Sequence, residues 1–109
     1  MKLNERAFDA LLAGTKTVEI RAPSKKVAAL SADDRITFTS LEQKRELSAS
    51  VVHVQQYRSV RELLEAEGVA KTLSSTNDLE KGIESIHSIP GYVKRIKNGG
   101  VYAIELVID

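Results

Sequence analysis

Lys16, Glu19 and Arg21 stand in the run Gly14-Thr15-Lys16-Thr17-Val18-Glu19-Ile20-Arg21, directly after a residue that suits a helix stop. A carboxylate beside an ammonium and a guanidinium supplies acceptors for ligand donors, a means of orienting the cations, and cations that hold anionic or carbonyl oxygens. Read as a strand, the run sends alternate side chains to opposite faces: Val18 and Ile20 toward a core, Thr17, Glu19 and Arg21 together on the other side. Lys16 shares the parity of Val18 but sits at the strand mouth, where a long side chain bends toward solvent or a cleft. As a general base it needs burial or a neighbouring cation, which Arg21 can supply. The plainer alternatives are a solvated cation at a strand end for Lys16 and an exposed salt bridge for Glu19 and Arg21, worth about 0–1 kcal/mol.

These residues need elements to hold them. Asn4 can cap a helix over Glu5–Ala13, with Ala7, Phe8, Leu11 and Leu12 on one face and Gly14 at the stop. The strand Thr15–Arg21 ends before Ala22-Pro23, and Ser24–Asp34 reads as a loop carrying Lys25-Lys26. Arg35–Thr39 alternates as a strand, and a longer strand follows from Leu47 to about Gln56. Within it, adjacent Val51 and Val52 imply two covered faces or a bulge. Ser59-Val60-Arg61-Glu62 is a capping-box pattern opening a helix Val60–Glu67, ended by Gly68. Another helix spans Asp78–His87 and stops at Pro90-Gly91, and Asn98-Gly99-Gly100 reads as a turn. The closing strand Val101–Ile108 places Tyr102, Ile104, Leu106 and Ile108 on one face and is positioned to close a sheet begun by the first strand. The expected fold is α+β: a small β-barrel with about three helices packed against it.

With 109 residues, the chain has room for one domain, residues 1–109. Sixteen Lys and Arg against fifteen Asp and Glu leave a formal net charge of +1, so no global positive field dictates a nucleic-acid partner. The absence of cysteine removes disulfides and thiolate chemistry, and two histidines, His53 and His87, do not make a metal site. No metal and no cofactor are expected. No apolar run approaches a membrane span, and the charged N-terminal residues do not read as a signal peptide, so the expectation is a cytoplasmic protein. His53, among valines, reads as a partly buried side chain, and His87 as a cation complementing a helix dipole. Ser24, Ser74 and Ser75 read as turn and cap residues. Lys25-Lys26 and Lys44-Arg45 read as solvated charges, as does Tyr92–Lys97, whose aromatic ring and three cations would otherwise suit a nucleic-acid backbone.

Gly14-x-Lys16-x-x-Glu19-x-Arg21 resembles the G-x-K-x-x-E-x-R signature of the ASCH domain, named after activating signal cointegrator-1. The preceding helix, Asp34–Phe38, the Tyr57-Arg58-Ser59 junction and Gly100–Leu106 resemble successive blocks of short prokaryotic ASCH proteins, so the resemblance covers almost the whole chain. It implies a PUA-like β-barrel with a cleft between the first helix and the barrel, lined by the signature residues. RNA or a nucleotide-like ligand is the partner it suggests. One related branch consists of small amidohydrolases that deacetylate N4-acetylcytidine with a lysine, a threonine and a glutamate, and other members are linked to RNA cleavage. That branch reads closer to G-x-K-T-x-T-x-R, and Glu19 stands where its catalytic threonine would be.

The leading expectation is therefore a binding cleft of Lys16, Thr17, Glu19 and Arg21 for unpaired RNA or a nucleoside-like molecule, since the deep A-form groove excludes side chains. The enzymatic alternative has Lys16 activating Thr17 or water, with Glu19 or a helix carboxylate, Glu65 or Glu67, assisting proton transfer. A ribonuclease or a protein-interaction domain ranks below both.

Overall fold

The computed structural model describes all residues, Met1–Asp109. Five strands and six helices follow in the order β1 (Lys2–Leu3), α1 (Glu5–Ala13), β2 (Val18–Arg21), α2 (Lys25–Ala28), β3 (Arg35–Ser40), β4 (Glu46–Tyr57), α3 (Val60–Glu67), α4 (Val69–Thr72), α5 (Leu79–His87), α6 (Tyr92–Gly99) and β5 (Val101–Ile108). The strands make one sheet in the order β1-β3-β4-β5-β2, curled into a half-barrel with the helices packed on it. All pairings are antiparallel except β1 with β3, and β5 pairs with β2 through Val18 opposite Glu105 and Arg21 opposite Tyr102. No helix is long and apolar enough to cross a membrane.

Local chemistry sets the boundaries of α1. The Asn4 side-chain oxygen accepts from the Ala7 amide at 2.8 Å, satisfying one of the donors a helix start leaves free, and Gly14 ends the helix at φ 82°, a conformation that disfavours a Cβ. In α3 the Ser59 hydroxyl caps the Glu62 amide at 3.1 Å, but the reciprocal half of the box does not form. The Glu62 carboxylate turns to Arg58 instead.

Helices the sequence pattern does not announce account for the larger helix count. Val69–Thr72 continues beyond Gly68, and Lys25–Ala28 forms a turn of helix capped by Ser24 within the expected loop. The Tyr92 segment runs helically to Gly99, so the expected turn at Asn98-Gly99 lies inside α6. β4 carries a register shift between Val51 and His53. The bulge answers the adjacent valines: Val51 is buried, while Val52 and His53 are both exposed. His53 is thus a surface side chain rather than a partly buried one.

The core has two lobes. Leu3, Phe8, Leu11, Phe38, Val51 and Ile104 form one, while Val18, Ile20, Leu63, Leu64, Ile86 and Val101 form the other beneath the helices that follow β4. β5 serves both, since Ile104 and Leu106 enter the first lobe and Val101 and Ala103 the second. Arg45, expected to be a solvated turn cation, instead fastens α1 to the sheet. Its guanidinium lies 4.5 Å from the Phe8 ring centroid and binds Glu5 at 3.0 Å and Asp9 at 2.9 Å.

Candidate functional site

The stop at Gly14 directs the chain back under α1, where the amides of Thr15 and Lys16 both donate to the Ala10 carbonyl at 3.1 Å. The Thr17 amide then donates to the Lys71 carbonyl at 2.9 Å, tying the approach to β2 against the end of α4. This contact buries Lys16. Its ammonium donates to the Thr72 carbonyl at 2.6 Å and the Val18 carbonyl at 2.7 Å, and it lies 3.2 Å from Glu19 Oε1. Three oxygens thus match the three N–H donors of an ammonium. Thr72 is itself fully buried, with its hydroxyl donating to Gly68 and Val69 carbonyls, which fixes the α4 terminus over the lysine.

Glu19 joins this buried cation to a second one. Its Oε2 accepts from Arg21 Nε at 2.8 Å and stands 2.6 Å from Arg21 Nη2, while its side chain is only 8% exposed. Arg21 Nη2 also donates to the Lys2 carbonyl at 2.9 Å, so one guanidinium links β2 to β1, the two ends of the sheet order. Taking charges out of water is costly unless they are paired and hydrogen-bonded, and the Lys16–Glu19–Arg21 chain meets both conditions.

The three residues line a cleft of about 560 Å³. β1 and the start of α1 supply Lys2 and Arg6, the α4–α5 connection supplies Ser74 and Ser75, and α6 supplies Tyr92. Lys2, Arg6, Lys16 and Arg21 face a single carboxylate, Glu19, which already bridges two of them. Lys16 does not bend outward as a strand-mouth residue; it forms part of the cleft floor at 5% exposure.

Thr17 lies elsewhere. At the mouth of the ladder, its carbonyl accepting from the Leu106 amide at 2.9 Å, Thr17 lines a second groove of about 300 Å³ with Leu12, Leu106 and Ile108; Lys16 lines both this groove and the cleft. Glu65 is exposed, and Glu67 accepts from the Tyr57 hydroxyl; neither lines the cleft. Burial, and secondly that hydrogen bond, push the Tyr57 phenol up to about 12. His53 and His87 are exposed, and no group of three or more His, Cys, Asp or Glu side chains is arranged to hold a metal ion. Lys2, Arg6 and Tyr92 reach the cleft from segments distant along the chain, and their own spacing carries no signal of it.

The model of the ASCH domain family matches residues 1–107. The fold is similar along the whole chain to the crystal structure of the hypothetical protein PH0355, with TM-score 0.88, 29% identity and coverage of 100% of this chain and 96% of that one. It is also similar to the solution NMR structure of protein PF0455 from Pyrococcus furiosus, with TM-score 0.79, 29% identity and coverage of 99% and 94%. A search of curated proteins returns no match.

Proposed function

We propose that this chain, which belongs to the ASCH domain family, binds single-stranded RNA or a nucleotide in the cleft above Lys16, Glu19 and Arg21. One observation carries the reading. Exposed Lys2 and Arg6 and the part-exposed Arg21 converge on a cleft whose only carboxylate is already bridged by two cations, although the whole chain has a formal net charge of just +1. The cleft therefore concentrates positive charge that the composition as a whole does not have. A volume of about 560 Å³ falls within the range of small-molecule sites and accommodates a splayed base, with Tyr92 as a face to stack on and serine hydroxyls as hydrogen-bonding groups.

In this reading Arg21 and the outer cations hold phosphate or carbonyl oxygens. Glu19 orients Arg21, and Lys16 sets Glu19. Lys16 has a structural part in this reading, with its donors engaged by the Val18 and Thr72 carbonyls and by Glu19. Thr17 opens onto the other groove, and Glu19 occupies the position of the hydroxyl that the amidohydrolase branch uses. The expected turnover of N4-acetylcytidine is accordingly none above the uncatalysed rate; measured turnover that Lys16→Ala abolishes reverses this assignment.

The binding test is fluorescence anisotropy with labelled mononucleotide and short single-stranded RNA across a salt series. Each lost phosphate contact lowers the slope of log affinity against log salt by about 0.7 on a single strand, so Lys2→Ala with Arg6→Ala lowers it by about 1.4. Absence of salt-dependent binding to any single-stranded RNA, together with no nucleotide-induced spectral shift, refutes the proposal.

A further inference from the structure

The cleft does not end at Tyr92. Ser88 and Ile89, on its wall, also line a second depression with Lys94 and Lys97. Lys97 in turn lines a third depression, of about 540 Å³, whose wall includes Arg58, Asn98 and Gly99. Shared residues thus join three concave regions along the outer face of α6, and neither the second nor the third is lined by any Asp or Glu.

The cations of this path differ from the others in the segment. Arg95 is occupied, donating to the Pro23 carbonyl at 2.6 Å and lying over the Tyr92 ring at 5.7 Å. Lys94 and Lys97, one turn apart on α6, are exposed and have no acidic partner, and the Arg58 side chain is 92% exposed with one loose contact to Glu62 at 3.3 Å. Val93, 54% exposed, sits between Tyr92 and Lys94 and offers an apolar surface beside the charges. The α6 helix is about 12 Å long at 1.5 Å per residue, enough for about three successive phosphates of one strand.

We infer that Lys94, Lys97 and Arg58 form a phosphate track that leads a single RNA strand away from the cleft, so that the ligand is an oligoribonucleotide several nucleotides long and not a free nucleoside. The inference rests on the cleft reading above and adds to it the polymeric nature of the ligand. Exposed lysines beside Tyr92 and Val93 suit a flexible strand, whose bases can turn toward the protein, better than a duplex.

The experiment compares a mononucleotide with oligouridylates of increasing length, by anisotropy, in wild type and in Lys94→Ala/Lys97→Ala. Wild-type affinity is expected to rise with length, and the double variant to lose most of that rise. Its salt slope for the longer strands falls by about 1.4, at about 0.7 per phosphate contact, while mononucleotide affinity stays unchanged. Arg58→Ala removes about 0.7 more, only for the longest strands. Affinity independent of length with mononucleotide binding intact overturns the track and leaves the cleft reading standing. An equal loss for mononucleotide and oligomer, or tighter binding of duplex than of single strand, also overturns the track. Binding of neither ligand overturns both readings. The substituted residues are exposed, and an unchanged circular-dichroism melt of each variant establishes that the fold is kept.

Discussion

Glu19→Gln tests whether the Lys16–Glu19–Arg21 chain is held together by charge. The amide keeps the side-chain volume but leaves the Lys16 ammonium, 5% exposed, with two backbone carbonyls and no counter-charge. Its NH2 must also face one of two donors, Lys16 or Arg21, where the carboxylate presented an acceptor to each. Arg21, with a side chain 24% exposed, recovers part of its loss from water; Lys16 does not. Removing one partner of a buried ion pair costs about 3–5 kcal/mol, a large share of the roughly 5–15 kcal/mol that holds a domain together. At about 4 °C per kcal/mol for a chain of this size, Tm falls by about 12–20 °C. The assay is urea and thermal unfolding by circular dichroism, with an unchanged denaturant slope indicating that stability alone has moved. Adding Lys16→Met removes the orphaned charge, so the double variant is less destabilised than the sum of the singles, by about 1–3 kcal/mol. A Glu19→Gln melt within about 2 °C of wild type refutes the reasoning, because it means that water or rearrangement compensates Lys16 at no cost.

Three further outcomes follow from local geometry. Gly100→Ala costs at least about 2 kcal/mol by urea unfolding, because φ 77° with ψ −163° is a glycine region and the new Cβ would lie 2.5 Å from the Tyr57 carbonyl oxygen. Gly14→Ala, at φ 82° with nothing near its Cβ, costs less, about 1 kcal/mol. Absorbance titration finds Tyr57 ionising near pH 12. The folded value lies above the ordinary 10, so the protonated phenol favours the fold; this contribution is full below pH 10 and disappears as pH rises through about 12. Glu67→Ala leaves the value still raised, because burial is the larger cause, but lower than in wild type.

Elements whose ends carry their own chemistry are legible in the sequence. Helix α1 has the expected limits because Asn4 and Gly14 act within one turn of it, and α3 likewise between Ser59 and Gly68. β5 has the expected limits and core face, since its alternation reports a period of two directly. The two-residue β1 and four-residue α2 and α4 are too short to show a period, and they form because neighbours hold them. α6 hides behind Asn98-Gly99-Gly100, where turn-forming residues end a helix rather than make a hairpin. At the site, spacing picked out Lys16, Glu19 and Arg21, which do meet. The burial of Lys16 depends on Thr72, a residue 56 positions away, and Thr17, at the end of the ladder, opens onto the second groove. Long-range carbonyls and ladder limits of this kind leave no mark on local spacing.

The bulge in β4 falls at a consequential place. β3 pairs with β4 only as far as Ser50, and Val51 exchanges its last backbone bonds with Asp33 and Asp34; beyond it β4 continues to Tyr57 with β5 on one side alone. The strands at the two ends of the sheet order are the two-residue β1 and the four-residue β2, which is followed by Ala22-Pro23. The outer half of β4 is therefore a longer unpaired stretch than either end strand, open to the addition of a strand from another molecule. The extra residue at Val52 interrupts the regular spacing there and increases the local twist, and exposed Gln55 and Gln56 follow it. A single inserted residue thus makes this unpaired margin a poorer template for a strand from another molecule, a consequence separate from ligand binding.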